Sequence, residues 1–153
     1  MVCTLLSCSN NTNDDVFRYT YYEDAELSIE TTDDSYMQTG RVTAGENIVF
    51  EYEYTAEEEE NIADDEYTEF IRFEISPNLS EFSYQDAELT DIKTVLTKIC
   101  YCFFEYDVNK DVPPTGNIAG ERISATQWRI SVDVTFYGDE RKTFENVFTL
   151  RDL

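Results

Sequence analysis

The sequence predicts an all-β fold, an antiparallel β-sandwich with at most one short helix. Three observations predict it. Apolar and polar residues alternate with period 2 along most of the chain, and short turn segments bound the alternating runs. Leu, Ile, Val and Phe supply about 25% of the residues, above the roughly 20% below which chains stay disordered. Strict alternation gives each sheet one buried face and one wet face, the mark of antiparallel sheets rather than parallel α/β cores. At 153 residues, a second domain would leave neither half a sufficient core.

The strand candidates follow in order. Phe17, Tyr19 and Tyr21 alternate with Arg18 and Thr20. Leu27 and Ile29 alternate with Glu26, Ser28 and Glu30. A Tyr36–Val42 segment leads through the turn Thr43–Asn47 into Ile48, Phe50, Tyr52 and Tyr54, which share a face opposite Glu51, Glu53 and Thr55. Ile71, Phe73 and Ile75 oppose Arg72 and Glu74. Leu89, Ile92, Val95, Leu96 and Ile99 have helical spacing, and Asp86 stands where a cap would, so a short helix is expected over about 86–97. The rival reading extends the next strand, Ile99–Tyr106, back to Val95. The clearest strand sets Trp128, Ile130, Val132, Val134 and Phe136 against Arg129, Ser131, Asp133 and Thr135. A turn at Tyr137–Glu140 joins it to Phe144, Phe148 and Leu150 in a closing hairpin.

The segment Val42–Phe50 resembles the turn-into-strand entry of bacterial immunoglobulin-like domains, and the hairpin Trp128–Leu150 resembles their last two strands. The resemblance implies an immunoglobulin-like sandwich and carries no functional residue.

Composition excludes several functions. There is no histidine, which removes Ser-His-Asp and Cys-His catalysis and every imidazole metal ligand. The net charge of −22 argues against nucleic acid as a partner, because the polymer is itself negative. Carboxylate-pair catalysis needs a cleft that raises one pKa, and a small sandwich offers little of one. The chain therefore reads as a non-enzyme without catalytic residues or cofactors. An alternative class is an acidic protein that mimics the phosphate array of DNA and blocks a nucleic-acid-binding protein. That class needs acids in rows, whereas here they alternate with apolar residues or cluster.

Leu5-Leu6-Ser7-Cys8, followed by the polar Ser9–Asp15, resembles the lipobox and tether of bacterial lipoproteins of the Bacteroidota type. An aliphatic residue and a small one precede the cysteine that takes the lipid. The resemblance implies lipid attachment at Cys8 and a membrane partner reached through that anchor. It places the protein in the bacterial outer membrane, facing the periplasm or the cell surface, with residues 1–15 as lipobox remnant and tether and residues 16–153 as one sandwich. The role expected of such a domain is structural or binding, with a protein or glycan as the candidate ligand, of unknown identity.

Other candidate sites are local. Seven acids fall between Glu57 and Glu66; of these Asp64, Asp65 and Glu66 are calcium candidates, though the loop lacks turn glycines. Asp107, Asn109 and Asp111 match the opening of an EF-hand loop, but Val112 and Ile118 replace its glycine and its bidentate glutamate, so a polar turn is expected. Cys100 and Cys102 share a strand face with Phe104 and Tyr106, about 6.6 Å apart at ~3.3 Å per residue. They read as small buried thiols, with a short bridge or a metal or redox role as alternatives. Tyr22, Tyr36, Tyr67, Tyr84 and Tyr137 fall near strand ends or in loops; exposed tyrosines there are what glycan or protein recognition uses, but they are also what any Tyr-rich chain leaves outside, and the latter reading is favoured.

Overall fold

The computed structural model describes residues 15–31, 34–57 and 66–153. Nine strands and one helical turn follow in order: β1 Val16–Thr31, β2 Gln38–Ala44, β3 Asn47–Thr55, β4 Tyr67–Ile75, β5 Glu81–Gln85, α1 Glu88–Asp91, β6 Val95–Cys100, β7 Thr115–Ser124, β8 Gln127–Phe136 and β9 Glu140–Leu150. They form one sheet in the order β5-β7-β8-β9-β1-β3-β4-β6, with β2 paired to β1. All pairings are antiparallel except β1 with β9, a parallel seam of two residue pairs, Thr20 with Thr149 and Tyr21 with Leu150.

The sheet folds over at that seam into a sandwich. Phe50 on β3 meets Trp128 on β8 with ring centroids 5.5 Å apart, and Tyr52 stacks on Phe144 of β9 at 4.7 Å. Neither pair sits on neighbouring strands, so both contacts run through the interior. The expected antiparallel sandwich is thus observed. Trp128, Ile130, Val132, Val134 and Phe136 are all buried, and β8 pairs with β9 from Gln127↔Thr149 to Phe136↔Glu140. The closing hairpin is as the alternation predicts.

Two strand candidates near the N-terminus turn out to be one. β1 runs for 16 residues, far beyond the usual five or six. Its first part pairs with β3 and its second with β2, and the register shifts between Tyr22 and Ala25. Asp24 there adopts φ 50, a left-handed conformation that Asp tolerates better than most residues. Opposite the bulge, a Cβ on Gly45 would lie 2.9 Å from the Ala25 backbone, so only glycine fits. The paired ribbon bends at this point, and its far half, the arm, lies over the outer face of β4 and β6.

The arm makes a third layer. Ala25, Leu27, Val49 and Val95 are fully or almost fully buried in a second small core. Side chains of the underlying sheet satisfy arm backbone groups: Leu27 N donates to Glu74 Oε2 at 2.8 Å, and Gly40 N donates to Thr97 Oγ1 at 3.0 Å. Lys93 Nζ donates to Leu27 O at 2.9 Å and pairs with Glu74 at 2.6 Å. Gly40 permits the approach, since a Cβ would sit 2.9 Å from Val95 Cγ1. The expectation of a wet outer face fails here because the arm covers it. Hence Glu51, Glu74 and Thr97, polar by alternation, are buried.

The helix is shorter than its spacing implied. It is a single turn, Glu88–Asp91, capped at Ala87 without a side-chain bond. Asp86 instead accepts the Gly116 amide through Oδ1 at 2.9 Å. Lys93 at φ 54 ends the turn, and Val95 and Leu96 enter β6, bonded to Arg72 and Ile71 of β4. The rival reading, a strand reaching back to Val95, is correct at that end. At its other end the strand stops at Cys100 rather than Tyr106. β5 and β7 carry no expectation from the sequence.

Candidate functional site

The bend in the ribbon leaves a hollow of about 450 Å³ between the arm and the C-terminal residues. β1 supplies Tyr22, β2 supplies Thr39 to Val42, β3 supplies Glu51 and β4 supplies Arg72. Arg151, Asp152 and Leu153 complete the wall. Arg151 reaches it because the parallel seam continues one residue past β9, with Arg151 N donating to Tyr21 O at 2.9 Å.

Arg72 is the organising residue. Its Nε donates to Glu51 Oε2 at 2.7 Å and its Nη1 to Gly40 O at 3.0 Å. The guanidinium lies over the Phe70 ring, 4.1 Å from the centroid. Tyr22 donates its hydroxyl to the other oxygen, Glu51 Oε1, at 3.1 Å. Both Glu51 oxygens are thus occupied, and the Arg72–Glu51 pair is nearly buried, with side chains 12% and 11% exposed. Burial and the Glu51 carboxylate push the Tyr22 pKa up, and Arg151 pulls against them. The Tyr22 hydroxyl stays protonated and donating.

The charge pattern sets this hollow apart. Acids outnumber bases 33 to 11, and basic side chains across the fold hold a carboxylate. Among the described residues, only Arg41 and Arg151 take part in no ion pair. Both line this hollow, beside Arg72. Three arginines therefore line one concavity of a strongly acidic chain.

Two other features compare poorly. A hollow of about 590 Å³ lies on the outer face of β5, β7, β8 and β9. Its one cation, Arg129, is held by Glu121 at 2.6 Å, and Glu81 and Glu145 add further negative charge. On the inner face, Glu69 is buried, accepts from Lys142 Nζ at 2.7 Å on both oxygens and from the Tyr67 hydroxyl at 2.8 Å. Burial and Glu69 push the Tyr67 and Tyr52 pKa values well up. That carboxylate is fully satisfied and bridges the two layers.

The residues singled out from sequence do not assemble into a site. Cys8, Asp64 and Asp65 lie outside the described residues. Glu66 is exposed beside β4. Asp107 forms an ordinary turn in which Oδ1 accepts the Asn109 amide at 2.9 Å and its side-chain nitrogen at 3.0 Å. Lys110, between Asn109 and Asp111, pairs with Asp139 at 2.7 Å. Among the described residues no group of three potential metal ligands converges. Cys100 and Cys102 are not buried free thiols: they form a disulfide with Cα atoms 5.1 Å apart. The 6.6 Å spacing assumed a continuing strand, but the chain leaves β6 at Cys100 and shortens the gap to a bridgeable one. Nor do the five tyrosines make an exposed rim. Tyr22 and Tyr137 are buried, and Tyr36, Tyr67 and Tyr84 are half-buried. The most exposed aromatics among the described residues are Tyr101 and Phe103, each 86% exposed, just past β6.

Sequence reasoning missed Arg41, Arg72 and Arg151. One signal was available. The first 76 residues hold three basic residues, and two of them are Arg41 and Arg72. Compared with known proteins, the chain matches no family model, no curated protein and no solved structure. No described helix is long and apolar enough to cross a membrane.

Proposed function

We propose that this chain is a non-catalytic binding domain of a lipoprotein anchored in the bacterial outer membrane through Cys8. The observation that carries the reading is the lipobox-like Leu5-Leu6-Ser7-Cys8, eight residues before Val16, where β1 begins. The seven residues between Cys8 and Val16, eight steps along the chain, reach at most roughly 26–29 Å, which holds the sandwich close to a bilayer. The arginine hollow supports a binding role. Tyr22 stands six residues along β1 from Val16, roughly 20 Å at strand rise, so the hollow lies away from the tethered end of that strand.

The DNA-mimic alternative has less support. On the outer face of the β7–β9 layer, Glu121 pairs with Arg129 and Asp133 with Arg141. Acids interleaved with arginines do not present the unbroken negative row that mimicry requires.

The test is lipid labelling. Expressed behind a complete export signal, the protein takes up labelled fatty acid and partitions into detergent, and Cys8→Ala abolishes both. Labelling that persists in Cys8→Ala overturns the anchor.

A further inference from the structure

We propose that the end of the sandwich bearing Ile99, Tyr101 and Phe103 docks into the headgroup layer of the bilayer that the lipid anchor reaches. The inference rests on the reading of this chain as a lipoprotein. It adds a second, non-covalent contact with that membrane, one that fixes how the domain stands on it.

Register brings the exposed apolar residues and the tether to one place. Val16 pairs with Thr55, Thr55 with Thr68 and Thr68 with Ile99. The row that opens β1 therefore ends at Ile99 on β6, the last strand of the sheet. Those three strand-to-strand steps span about 14 Å at ~4.8 Å each. Val16, Phe17 and Ile99 are all exposed at this end. β6 stops one residue on, at Cys100. Just past it come Tyr101 and Phe103, the two most exposed large apolar side chains among the described residues. The Cys100–Cys102 bridge closes a tight loop around Tyr101 and beside Phe103, so little ordering entropy is lost when the rings meet a partner. Five exposed apolar side chains gathered at one end mark an interaction surface.

The tether says what covers it. The chain leaves this same end at Val16, and Cys8 lies at most roughly 26–29 Å away. Confinement on that scale acts as an effective concentration in the millimolar range, so a weak contact suffices. Aromatic side chains favour the headgroup level of a bilayer, and protruding rings enter a fluid surface without needing a complementary pocket. The hollow beside Tyr101, about 220 Å³, is smaller than an ordinary small-molecule site. Charge selects the lipid. Asp15, Glu57 and Glu66 are exposed at this end, and they repel an anionic surface. The docked lipid is therefore zwitterionic, and salt does not weaken the contact, the reverse of a polybasic attachment.

The test supplies the anchor chemically. Full-length protein carrying Cys3→Ser is coupled through the Cys8 thiol to a maleimide-headed lipid in phosphatidylcholine vesicles, with and without acyl-brominated phosphatidylcholine as an indole quencher. Phe103→Trp reports on the docked end. Ile123→Trp reports on the far end, since the adjoining Arg122 pairs with Glu23, seven residues along β1 from Val16. Trp128 is buried and gives both variants the same background. Brominated lipid removes about half of the emission that Phe103→Trp adds and less than a tenth of that from Ile123→Trp. Adding Ile99→Ser/Tyr101→Ser, both at exposed positions, to Phe103→Trp lowers the quenching at least threefold. The comparison of the two reporters stands without that variant. Four results overturn the proposal. Equal quenching at both positions shows no preferred end. Quenching lost at high salt shows a contact made by charge. A dimer of the unanchored Phe103→Trp chain in sedimentation, its added indole already blue-shifted, gives the end to a second copy. An unquenched Phe103→Trp leaves the end to a protein partner. Cys8 labelling in cells does not depend on this experiment. Failed quenching with labelling intact removes the docked end alone, and failed labelling with quenching intact removes the natural anchor alone.

Discussion

Trp128→Ala removes the largest fully buried side chain from the place where the two layers meet. The indole packs edge-on to Phe50 at 5.5 Å, tilts against Phe82 at 5.8 Å and lies under the Arg122 guanidinium at 5.1 Å. Replacing a buried Trp by Ala costs roughly 3–5 kcal/mol in lost transfer energy and cavity. A domain has only about 5–15 kcal/mol to lose. At roughly 2–4 °C per kcal/mol for a chain of this size, the melting temperature falls by roughly 6–20 °C. Arg129→Ala, one residue along, behaves differently. Its side chain is 50% exposed and its partner Glu121 is 56% exposed, so the loss stays under about 0.5 kcal/mol. Trp128→Phe separates packing from polarity. The Trp128 Nε1 is buried without a hydrogen-bond partner among the described residues, and such a group costs about 1–3 kcal/mol. Phenylalanine gives up some contact area and also removes that group, so it costs less than half of what alanine does. Thermal melts followed by circular dichroism at 218 nm measure all three. If Arg129→Ala matches Trp128→Ala, the parity of β8 is wrong and the buried row from Ile130 to Phe136 falls with it. If Trp128→Phe costs as much as alanine, the indole nitrogen is satisfied in solution.

Two further outcomes follow from the same interior. Burial pushes the Tyr137 hydroxyl up to about 12 from an ordinary 10.0, so the folded state favours the neutral form. That contribution, roughly 2–3 kcal/mol at 1.36 kcal/mol per unit, is complete below pH 10 and is lost as pH rises toward 12. Absorbance at 295 nm should show the buried Tyr21, Tyr52 and Tyr137 ionising only as the fold is lost; their ionisation before any loss of structure contradicts the assignment. Cys102→Ser opens a bridge that spans one residue, so little chain entropy is released and the loss stays under about 2 kcal/mol; a larger loss than for Trp128→Ala shows that the bridge orders much more than its own turn.

What the sequence disclosed depended on how far apart the interacting residues lie. The closing hairpin was legible because its period, its turn and its partner strand are all local. β5 and β7 were not, since Thr115–Ser124 contains two glycines and one fully buried aliphatic residue, Ile118. The stretch from Leu89 to Leu96 was misread because every apolar position in it is indeed buried. A helical turn followed by a strand buries the same residues that a longer helix would. The run through Phe17, Tyr21, Leu27 and Ile29 was divided because the bulge at Asp24 interrupts its period. The arginine hollow was invisible for a different reason. Tyr22, Arg41, Glu51, Arg72 and Arg151 sit on five separate segments, and only the register of β1 with its three partners and of β3 with β4 brings them together.

The parallel seam has a consequence for the order of events during synthesis. Among the described residues β1 is the first strand made, and the neighbour on one of its edges, β9, is the last. Until Thr149 and Leu150 leave the ribosome, Thr20 and Tyr21 have no partner on that side, and the interior shared by Phe50 and Trp128 stays open along one flank. A contact between residues some 130 positions apart closes a long loop and therefore forms slowly. A nascent chain of this protein is thus kept from early closure, and a version truncated before β9 is left with an unsealed sheet and a wet aromatic core. Joining the two ends by a short linker and cutting the chain elsewhere turns the seam into a local contact. Such a circular permutant should fold faster than the natural order, with its native pairing unchanged.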